Sequence, residues 1–387
     1  MKKTVLFFHQ SAELYGSDKM LLHFVLHLKN EQSEFNPIVV LPKEGPLLKI
    51  LKQNKVKTIV SPVLKLSRNM FSAKIIFSFP YRLFKSLHTL KRELKSESID
   101  IVYSSTLAVT MGLVYSVLYR VKHLWHVHEL IRKPRIVKHT YIYLLSRFSN
   151  HAVFNSHASR NNFIIRKNKL SKKATVIWNG MERQATKTKP ETLKKLRKSL
   201  NIKETSIVIG LVGRISRWKG HHLLLEVFED LYNKGFDIAL LFLGSPPPNQ
   251  EYFLEILMDE IKKRNLSNKC SIVGFDSNIW QYFDLMDIVT VPSTEPEPFG
   301  LVTLEAMLSK KPVIASNHGG LSEIVLDNNT GFLFSPNNSV DLYLKTERLI
   351  KDKNKRNNFG KNGFDRVNTI FTSETYNLNL LNCIKKL

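Results

Sequence analysis

The sequence predicts an α/β protein made of two doubly wound domains, and two observations carry that prediction. A chain of 387 residues is too long for one ordinary core and suggests two domains of roughly 150–200 residues each. Continuously apolar strand-like runs alternate with helical patterns, which is typical of parallel sheets covered on both faces. Because ligands in open α/β sheets bind at the carboxyl ends of strands, we expect the two domains to face each other across a cleft.

In the first half, a helical pattern over 17–28 follows the first of seven strand-like runs: TVLFFHQ, NPIVVLP, KTIVSPV, DIVYSS, LWHVHE, HAVFNS and ATVIWNG. Residues 101–119 carry no formal charge and approach the length of a membrane span. Five Ser and Thr residues interrupt them, and they divide into a strand and a helix from about residue 106. A membrane span is therefore disfavoured there.

In the second half, helical stretches near 221–234, 250–264, 301–309 and 320–326 separate the strand-like runs SIVIGLVG, IALLFLG, CSIVGF, IVTVPS, PVIAS and TGFLF. The lysine-rich segment between the two series indicates the boundary, although 191–200 could form a short helix within it. The predicted organisation is an N-terminal domain, a linker, a C-terminal domain and a C-terminal helix that could pack back on the N-terminal domain: 1–183, 184–204, 205–365 and 366–387.

The charge of the chain is unevenly distributed. Residues 1–200 contain 37 Lys and Arg against 11 Asp and Glu, a net charge of +26, whereas residues 201–387 contain 21 and 22, a net charge of −1. We therefore expect a partner rich in negative charge to meet the N-terminal half.

Neither the cysteines nor the start of the chain suggests export. Cys270 and Cys383 lie far apart with no C-x-x-C, which suits a reducing compartment and argues against a disulfide framework or a structural zinc site. The apolar run after Lys2-Lys3 is shorter than a signal-peptide core. A cytoplasmic location is expected.

The second domain opens with a stretch suited to a diphosphate. In SIVIGLVGRISRWKG a strand ends at Gly213-Arg214, and Lys219 follows just before a helix. Glycine lets the backbone approach a ligand closely, and two cations at about 4 Å would each contribute on the order of 4 kcal/mol before desolvation. The alternative is an ordinary solvated loop.

Two acids surround a glycine where the strand IVTVPS passes through a loop into a helix. In STEPEPFGLVTLEAM, Glu297 lies in the loop and Glu305 about one turn into the helix. Backbone N–H groups at 299–301 would form an anion site at the helix N-terminus. The carboxylates could accept hydrogen bonds from sugar hydroxyls at roughly 1.5–3 kcal/mol each, or could merely complement the helix dipole.

Metal chemistry has little support in the sequence. No Asp-x-Asp pair occurs, so the usual short carboxylate pair for Mg²⁺ or Mn²⁺ is absent. His126 and His128 would share one face of a strand but have no third ligand of the right kind nearby. His318, in the glycine loop NHGG, suits an ordinary loop histidine better than a ligand. We expect neither a metal nor another cofactor.

Together, GRISRWKG and STEPEPFGLVTLEAMLSKKPVIASNHGGLSEIV resemble the donor-site signature of the family 4 retaining glycosyltransferases, bacterial surface-polysaccharide type. The resemblance covers about 206–335 closely. It implies two Rossmann-like domains in the GT-B architecture and a nucleotide-sugar substrate. In the first domain ELYGSDKMLL, DIVYSS, WHVHE and VIWNG fall in the family's order, with one glycine where the family often has two.

The resemblance also implies a role for each matching position. Gly213, Arg214 and Lys219 would bind the donor's diphosphate, with Gly16 from the N-terminal glycine loop. Glu305 would hold the ribose and Glu297 the transferred sugar. The backbone of Phe299, Gly300 and Leu301 would meet the sugar and phosphates, and His128 would lie near the reacting centre.

The molecule that accepts the transferred sugar should also explain the positive charge of residues 1–200. Residues 80–95 place Leu83, Phe84, Leu87, Leu90 and Leu94 on one helical face, flanked by Lys and Arg. Such a face is usually core, but it could lie on an anionic bilayer. We expect a peripheral enzyme on the inner face of the cytoplasmic membrane, acting on a lipid-linked glycan. A sugar-nucleotide epimerase of the same architecture and a polyanion-binding protein remain alternatives, although no nucleic-acid module is visible and nucleic acid is not the expected partner.

Overall fold

The structure is a computed structural model that describes residues 2–31, 34–65, 73–164, 169–276 and 278–387, and of residues 73–77 the backbone alone. The chain divides into two compact units, Met1–Gly180 with Ser373–Leu387 (unit 1) and Met181–Thr372 (unit 2). Each unit is an α/β domain with one sheet, and every strand pair in both sheets is parallel. The predicted fold class, two Rossmann-like domains, is confirmed; the cleft between them stays a prediction.

The sheet of unit 1 has seven strands in the order β3-β2-β1-β4-β5-β6-β7. The strands are β1 Lys3–His9, β2 Phe35–Leu41, β3 Lys57–Val60, β4 Ile101–Ser105, β5 Lys122–Val127, β6 His151–Phe154 and β7 Ala174–Val176. The helices are α1 Gly16–Asn30, α2 Pro46–Gln53, α3 Ala73–Glu93, α4 Met111–Tyr119, α5 Arg135–Phe148 and α6 His157–Phe163, and a 3-10 helix spans Lys169–Lys173. The continuous apolar strands are buried because helices cover both faces.

The sheet of unit 2 has six strands in the order β10-β9-β8-β11-β12-β13. The strands are β8 Ile207–Val212, β9 Ile238–Leu243, β10 Cys270–Val273, β11 Ile288–Val291, β12 Val313–Ser316 and β13 Gly331–Phe334. The helices are α7 Pro190–Ser199, α8 His221–Asn233, α9 Tyr252–Lys263, α10 Trp280–Leu285, α11 Leu301–Leu308, α12 Leu321–Ile324, α13 Ser339–Lys351 and α14 Lys353–Ile370, and α15 Ser373–Lys385 returns to unit 1.

The segment predicted as a linker is folded into unit 2. Residues 190–199 form α7, which packs against α10. Before it, Arg183 donates two hydrogen bonds to the buried carboxylate of Asp284, at 2.8 and 2.7 Å. Composition marked the segment as polar, but long-range partners place it in a domain. At the other end, α15 packs against α1 within unit 1.

The helix that was predicted over 80–95 belongs to α3, and its apolar face is divided. Leu90 and Leu94 are buried in the core of unit 1, and Leu83 and Leu87 pack against that core. Phe84 is 70% exposed. The two alternatives for this face, core or membrane surface, therefore do not apply to it as a whole: four of the five residues pack in or against the core, and Phe84 is at the surface. Residues 165–168, part of the basic stretch FIIRKNK, lie outside the described residues.

Across the part of the chain that the structure describes, no helix combines the length and the apolar character that crossing a bilayer requires. Residues 101–119 divide, as expected, into β4 and the later helix α4. Cys270 and Cys383 are both free thiols.

Candidate active site

The candidate donor site of unit 2 lies where β8, β11 and β12 end. Order in the sheet places β8 next to β11 and β11 next to β12, so the loops that follow these strands meet at one edge. The Thr294 N–H donates a hydrogen bond of 2.8 Å to the Trp218 carbonyl, which joins the first loop to the second. The Gly320 N–H donates one of 2.8 Å to the Glu297 carbonyl, which joins the third loop to the second.

The glycines of the third loop are required by this close packing. Gly319 has φ +63°, and a Cβ built on it would lie 2.3 Å from the Glu297 carbonyl oxygen. A Cβ on Gly320 would lie 2.5 Å from the Cα of Phe299. Both distances are shorter than real Cβ contacts, so the sequence NHGG is what allows the loop to lie against TEPEPFG.

Lys219 and Glu297 form the central ion pair of these loops. The Lys219 Nζ lies 2.8 Å from the Glu297 Oε1, and the two side chains are 15% and 7% exposed. The Ser293 hydroxyl donates to the same carboxylate oxygen, and the Lys219 ammonium lies 4.4 Å from the centre of the Trp218 ring. Two residues that were predicted from separate motifs therefore contact each other directly.

The remaining predicted donor residues of unit 2 lie directly after β8, at the N-cap of α11 and within α11. Gly213 directly follows β8 and has φ +153°, and Arg214 beside it is exposed. Gly300 is the N-cap of α11 with φ +118°, and its carbonyl accepts a hydrogen bond of 2.9 Å from the Thr303 N–H. Glu305 is buried in the second turn, with 6% exposure. Leu301 opens the helix.

Two side chains at this edge have structural roles. Phe299 is buried and packs edge-on against Phe371, with ring centres 6.0 Å apart. His318 donates through Nε2 to the Ser293 carbonyl at 2.8 Å, which ties the third loop to the second. His318 is therefore a bonded loop histidine.

In unit 1, His128 directly follows β5 at the carboxyl edge of the sheet. Its ring lies 4.0 Å from the ring of His126, centre to centre. Burial, and to a smaller extent His9, lower the pKa of His128 to about 3, and Asp18 opposes the shift. Because such a histidine is neutral at pH 7 and accepts protons weakly, it suits orienting a substrate better than general-base catalysis.

Tyr103, on the neighbouring strand β4, fixes the His126 ring. Tyr103 and His126 share a hydrogen bond of 2.5 Å between the phenol oxygen and Nδ1. Burial, and then His128, keep the pKa of His126 well below its usual value. The two histidines therefore form a neutral pair, and among the described residues no group of three or more His, Cys, Asp or Glu is arranged to hold a metal ion.

Three acidic or imidazole groups near this edge were not predicted. His9 ends β1, and its Nε2 lies 2.6 Å from the Oδ1 of Asp18, with both side chains almost fully buried. Glu129 follows His128 and accepts hydrogen bonds from the N–H groups of Leu107 and His128. Burial raises the pKa of Glu129 to about 7 against those bonds. The position of Asp18 two residues after Gly16 was the signal that could have found it.

Gly16 begins α1, and the loop before it needs no second glycine. Tyr15, the N-cap, has φ −79° and ψ −179°, an extended conformation that any residue adopts. The departure from the family's usual pair of glycines therefore causes no backbone strain at this position.

The comparisons with known proteins agree with this geometry. Residues 193–366 match the family model described as Glycosyl transferases group 1. This part of the chain is therefore similar to the group 1 glycosyltransferases. The match covers the three loops that carry Lys219, Glu297 and Gly320.

The curated proteins to which the chain is similar include enzymes named for surface glycans. The lipopolysaccharide 1,2-N-acetylglucosaminetransferase of Salmonella typhimurium is 34% identical over 46% of this chain and 48% of its own. The capsular polysaccharide biosynthesis glycosyltransferase CapM of Staphylococcus aureus is 32% identical over 44% and 43%. The chain thus spans less than half the length of these relatives.

Solved structures extend the likeness to the whole chain. Anabaena HepE, solved in complex with UDP and glucose, is 26% identical, with a TM-score of 0.84 over 99% of both chains. WaaG, described as a glycosyltransferase of lipopolysaccharide biosynthesis, is 12% identical, with a TM-score of 0.71 over 97% of this chain and 98% of its own. WaaG supports the fold alone.

Proposed function

We propose that this protein is a metal-independent retaining glycosyltransferase that moves a hexose from a nucleotide-diphosphate donor to a growing surface glycan. The observation that carries the proposal is the Lys219–Glu297 pair, which three loops of a group 1 glycosyltransferase domain hold at the carboxyl edge of its sheet. The HepE complexes with UDP and glucose and with UDP-glucose support a nucleotide-sugar donor.

In the proposed complex, cationic and acidic groups bind different parts of the donor. Arg214 and Lys219 bind the diphosphate, aided by the N–H groups at 299–301, because cations and a helix N-terminus both favour anions. Glu305 accepts hydrogen bonds from the ribose. Glu297 binds the transferred sugar, and its pairing with Lys219 fixes the carboxylate before the donor arrives.

Transfer breaks the bond between the anomeric carbon and the diphosphate oxygen. Negative charge grows on the leaving oxygen, and Arg214 and Lys219 are the cations that would stabilise it. The acceptor hydroxyl attacks from the leaving-group side, its proton passes to the departing phosphate, and the configuration is retained. His128, neutral at pH 7, orients the sugar. Metal independence is proposed because this cation pair supplies the charge that a divalent ion would otherwise supply.

The donor assignment is tested by a thermal-shift and hydrolysis screen against UDP-, GDP- and dTDP-sugars. We expect one nucleotide class to raise the melting temperature of the wild-type protein and Glu305→Ala to remove that rise. Glu226→Ala is the control, because Glu226 is an exposed acid on α8 of the same unit. If no sugar nucleotide stabilises the protein, or if Glu305→Ala binds as wild type does, the donor assignment is wrong.

Adding EDTA to the hydrolysis reaction tests metal independence separately. Unchanged turnover is expected, since the leaving-group charge is assigned to Arg214 and Lys219. A loss that Mg²⁺ or Mn²⁺ restores would contradict this part of the proposal.

The proposed acceptor is a lipid-linked glycan that unit 1 meets at an anionic membrane. Exposed apolar side chains of α3 and α4 form one patch, with exposures of 70% at Phe84, 58% at Leu118 and 48% at Tyr119. A groove of about 500 Å³ runs through the patch, and His88 and Lys91 also line it.

Basic residues accompany this α3–α4 patch. Exposed cations among the described residues of these helices and just after them include Lys85, Lys91, Arg92, Lys95, Arg120 and Lys122. Aromatic and aliphatic side chains beside cations suit the interface of an anionic bilayer, where each nearby Lys or Arg adds about 1 kcal/mol. The net charge of +26 over residues 1–200 acts in the same direction.

Vesicle sedimentation tests the membrane part. The wild-type protein should bind phosphatidylcholine vesicles that contain phosphatidylglycerol, more weakly as salt rises. The double substitution Phe84→Ser with Leu118→Ser should weaken binding at least tenfold, because each side chain loses part of the roughly 1.5–3 kcal/mol that full burial provides. Tyr252→Ser with Met258→Ser, on exposed residues of α9 in unit 2, is the matched control. No binding at low salt, or equal losses in both double variants, would contradict it.

A further inference from the structure

The carboxylate of Asp18 is a buried acid that the proposed reaction does not use directly. Its side chain is 1% exposed and lies at the third residue of α1. Its Oδ2 accepts hydrogen bonds from the Tyr15 N–H at 2.9 Å and from the Ser11 hydroxyl at 3.3 Å. Its Oδ1 lies 2.6 Å from the Nε2 of His9. One carboxylate thus ties together the end of β1, the loop and the start of α1.

These three contacts fix the path of residues 9–18. An acid at the third helical position that accepts from the N-cap N–H is a recognised way of fixing a helix start. The contacts with His9 and Ser11 extend that restraint back to the strand. Because the loop has only one glycine, the restraint comes from side-chain bonding and not from special backbone conformations.

A buried acid at this place also needs neutralising. The loop carries Gly16, which the family resemblance assigns to the donor diphosphate, and a bare carboxylate would repel that anion. The imidazole of His9 donates a hydrogen bond to Asp18, which reduces the repulsion between that carboxylate and the diphosphate. The same two groups act electrostatically on His128, so they lie near all of the unit 1 groups assigned to the reaction.

We propose that Asp18 is a positioning residue that, together with His9, holds the Gly16 loop and the start of α1 in the geometry that the transfer reaction requires. This inference rests on the proposed function. Asp18 touches neither donor nor acceptor and acts through the loop.

The test compares Asp18→Ala and Asp18→Asn in the full-length protein, with UDP-glucose hydrolysis and UDP binding as readouts. Asparagine keeps an oxygen that can accept from the Tyr15 N–H, whereas alanine has none. We expect Asp18→Ala to lower kcat at least tenfold, since misplacement of about 1 Å can cost 10²-fold. UDP affinity should change less than threefold, because Arg214 and Lys219, the cations assigned to the diphosphate, are not altered. Asp18→Asn should recover kcat to within threefold of the wild type.

Ser156→Ala is the matched control. Ser156 is the N-cap of α6 in the same unit, and its hydroxyl oxygen accepts from the Ser159 N–H at 2.9 Å. This variant should lower the melting temperature as Asp18→Ala does, but leave kcat unchanged. Wild-type kcat in Asp18→Ala, equal kcat losses in the alanine variants at positions 18 and 156, or failure of Asp18→Asn to rescue would each overturn the inference.

Amide hydrogen exchange supplies a readout that needs no donor. The Tyr15 amide should exchange faster in Asp18→Ala than in the wild type and return toward the wild-type rate in Asp18→Asn. Unchanged exchange would overturn the inference even in an active enzyme. If the exchange result is as expected but the wild-type protein neither binds nor turns over a sugar nucleotide, the proposed function has failed and the role of Asp18 in holding the loop has not.

Discussion

Breaking the Lys219–Glu297 ion pair should destabilise unit 2 by a measurable and distinctive amount. Glu297→Met leaves the Lys219 ammonium 15% exposed and without its carboxylate partner. Removing one partner of a buried pair costs about 3–5 kcal/mol. Two features lower the expected cost to about 3 kcal/mol. Lys219 stays partly exposed to water, and the Trp218 ring, 4.4 Å from its ammonium, stabilises the charge by about 0.5–1 kcal/mol.

Thermal and urea unfolding measure this cost. In a domain of roughly 150–250 residues, 1 kcal/mol shifts the melting temperature by about 2–4 °C, so Glu297→Met should lower it by about 6–12 °C. Lys219→Met should have an effect of the same sign, because it removes the cation beside the buried Glu297 carboxylate, which then keeps the hydrogen bond from the Ser293 hydroxyl.

The double variant decides whether the pair is the cause. Replacing both residues by methionine removes both charges, and apolar replacement of a buried pair is often neutral or stabilising. The double variant should therefore be less destabilised than the sum of the singles by at least about 1 kcal/mol. Single variants within about 1 kcal/mol of wild type, or strictly additive effects, would refute the reasoning.

Three further predictions concern the loops and buried titratable groups. Gly319→Ala should lower the free energy of unfolding by about 1–3 kcal/mol, because φ at this position is +63° and the new Cβ would meet the Glu297 backbone. A free energy of unfolding equal to that of the wild type, measured by urea denaturation, would contradict this. Burial raises the pKa of Glu129 from 4.5 to about 7, so its contribution to stability is complete below pH 4.5 and is lost as the pH rises to about 7. Glu129→Gln should flatten stability across that window, as urea titrations at several pH values would show. Burial lowers the pKa of His221 from 6.5 to about 3, so its contribution is complete above pH 6.5 and is lost as the pH falls toward 3. Neither ring nitrogen of His221 has a hydrogen-bond partner among the described residues, and His221→Leu should therefore flatten the acid limb of the stability curve; an unchanged limb would rule the effect out.

The existence of the strands and the position of the donor loops follow from local patterns. Continuously apolar runs such as IVTVPS and PVIAS became the parallel strands β11 and β12, because burial on both faces leaves no place for polar residues along them. Glycine loops at the ends of such strands lie at one edge whatever the details of packing. For this reason Gly213, Gly300 and Gly320 could be placed near one another from the sequence.

The contacts within the site depended on separations that no local pattern spans. Lys219 and Glu297 are 78 residues apart, and each had been assigned a separate part of the donor. Asp18 and His9 are close in sequence, but their pairing depends on how α1 packs against β1. Composition likewise marked 184–204 as a linker, whereas its contacts with α10 place it in unit 2.

The helix α3 shows which features the sequence determined and which the tertiary structure decided. The spacing of Leu83, Phe84, Leu87, Leu90 and Leu94 determined that they share a helical stripe, since a residue's angular position depends only on its place in the helix. Whether each side chain is core or surface was decided by the neighbouring elements, which cover Leu90 and leave Phe84 exposed. Periodicity is a local property of the chain, whereas burial depends on which distant segments pack against it.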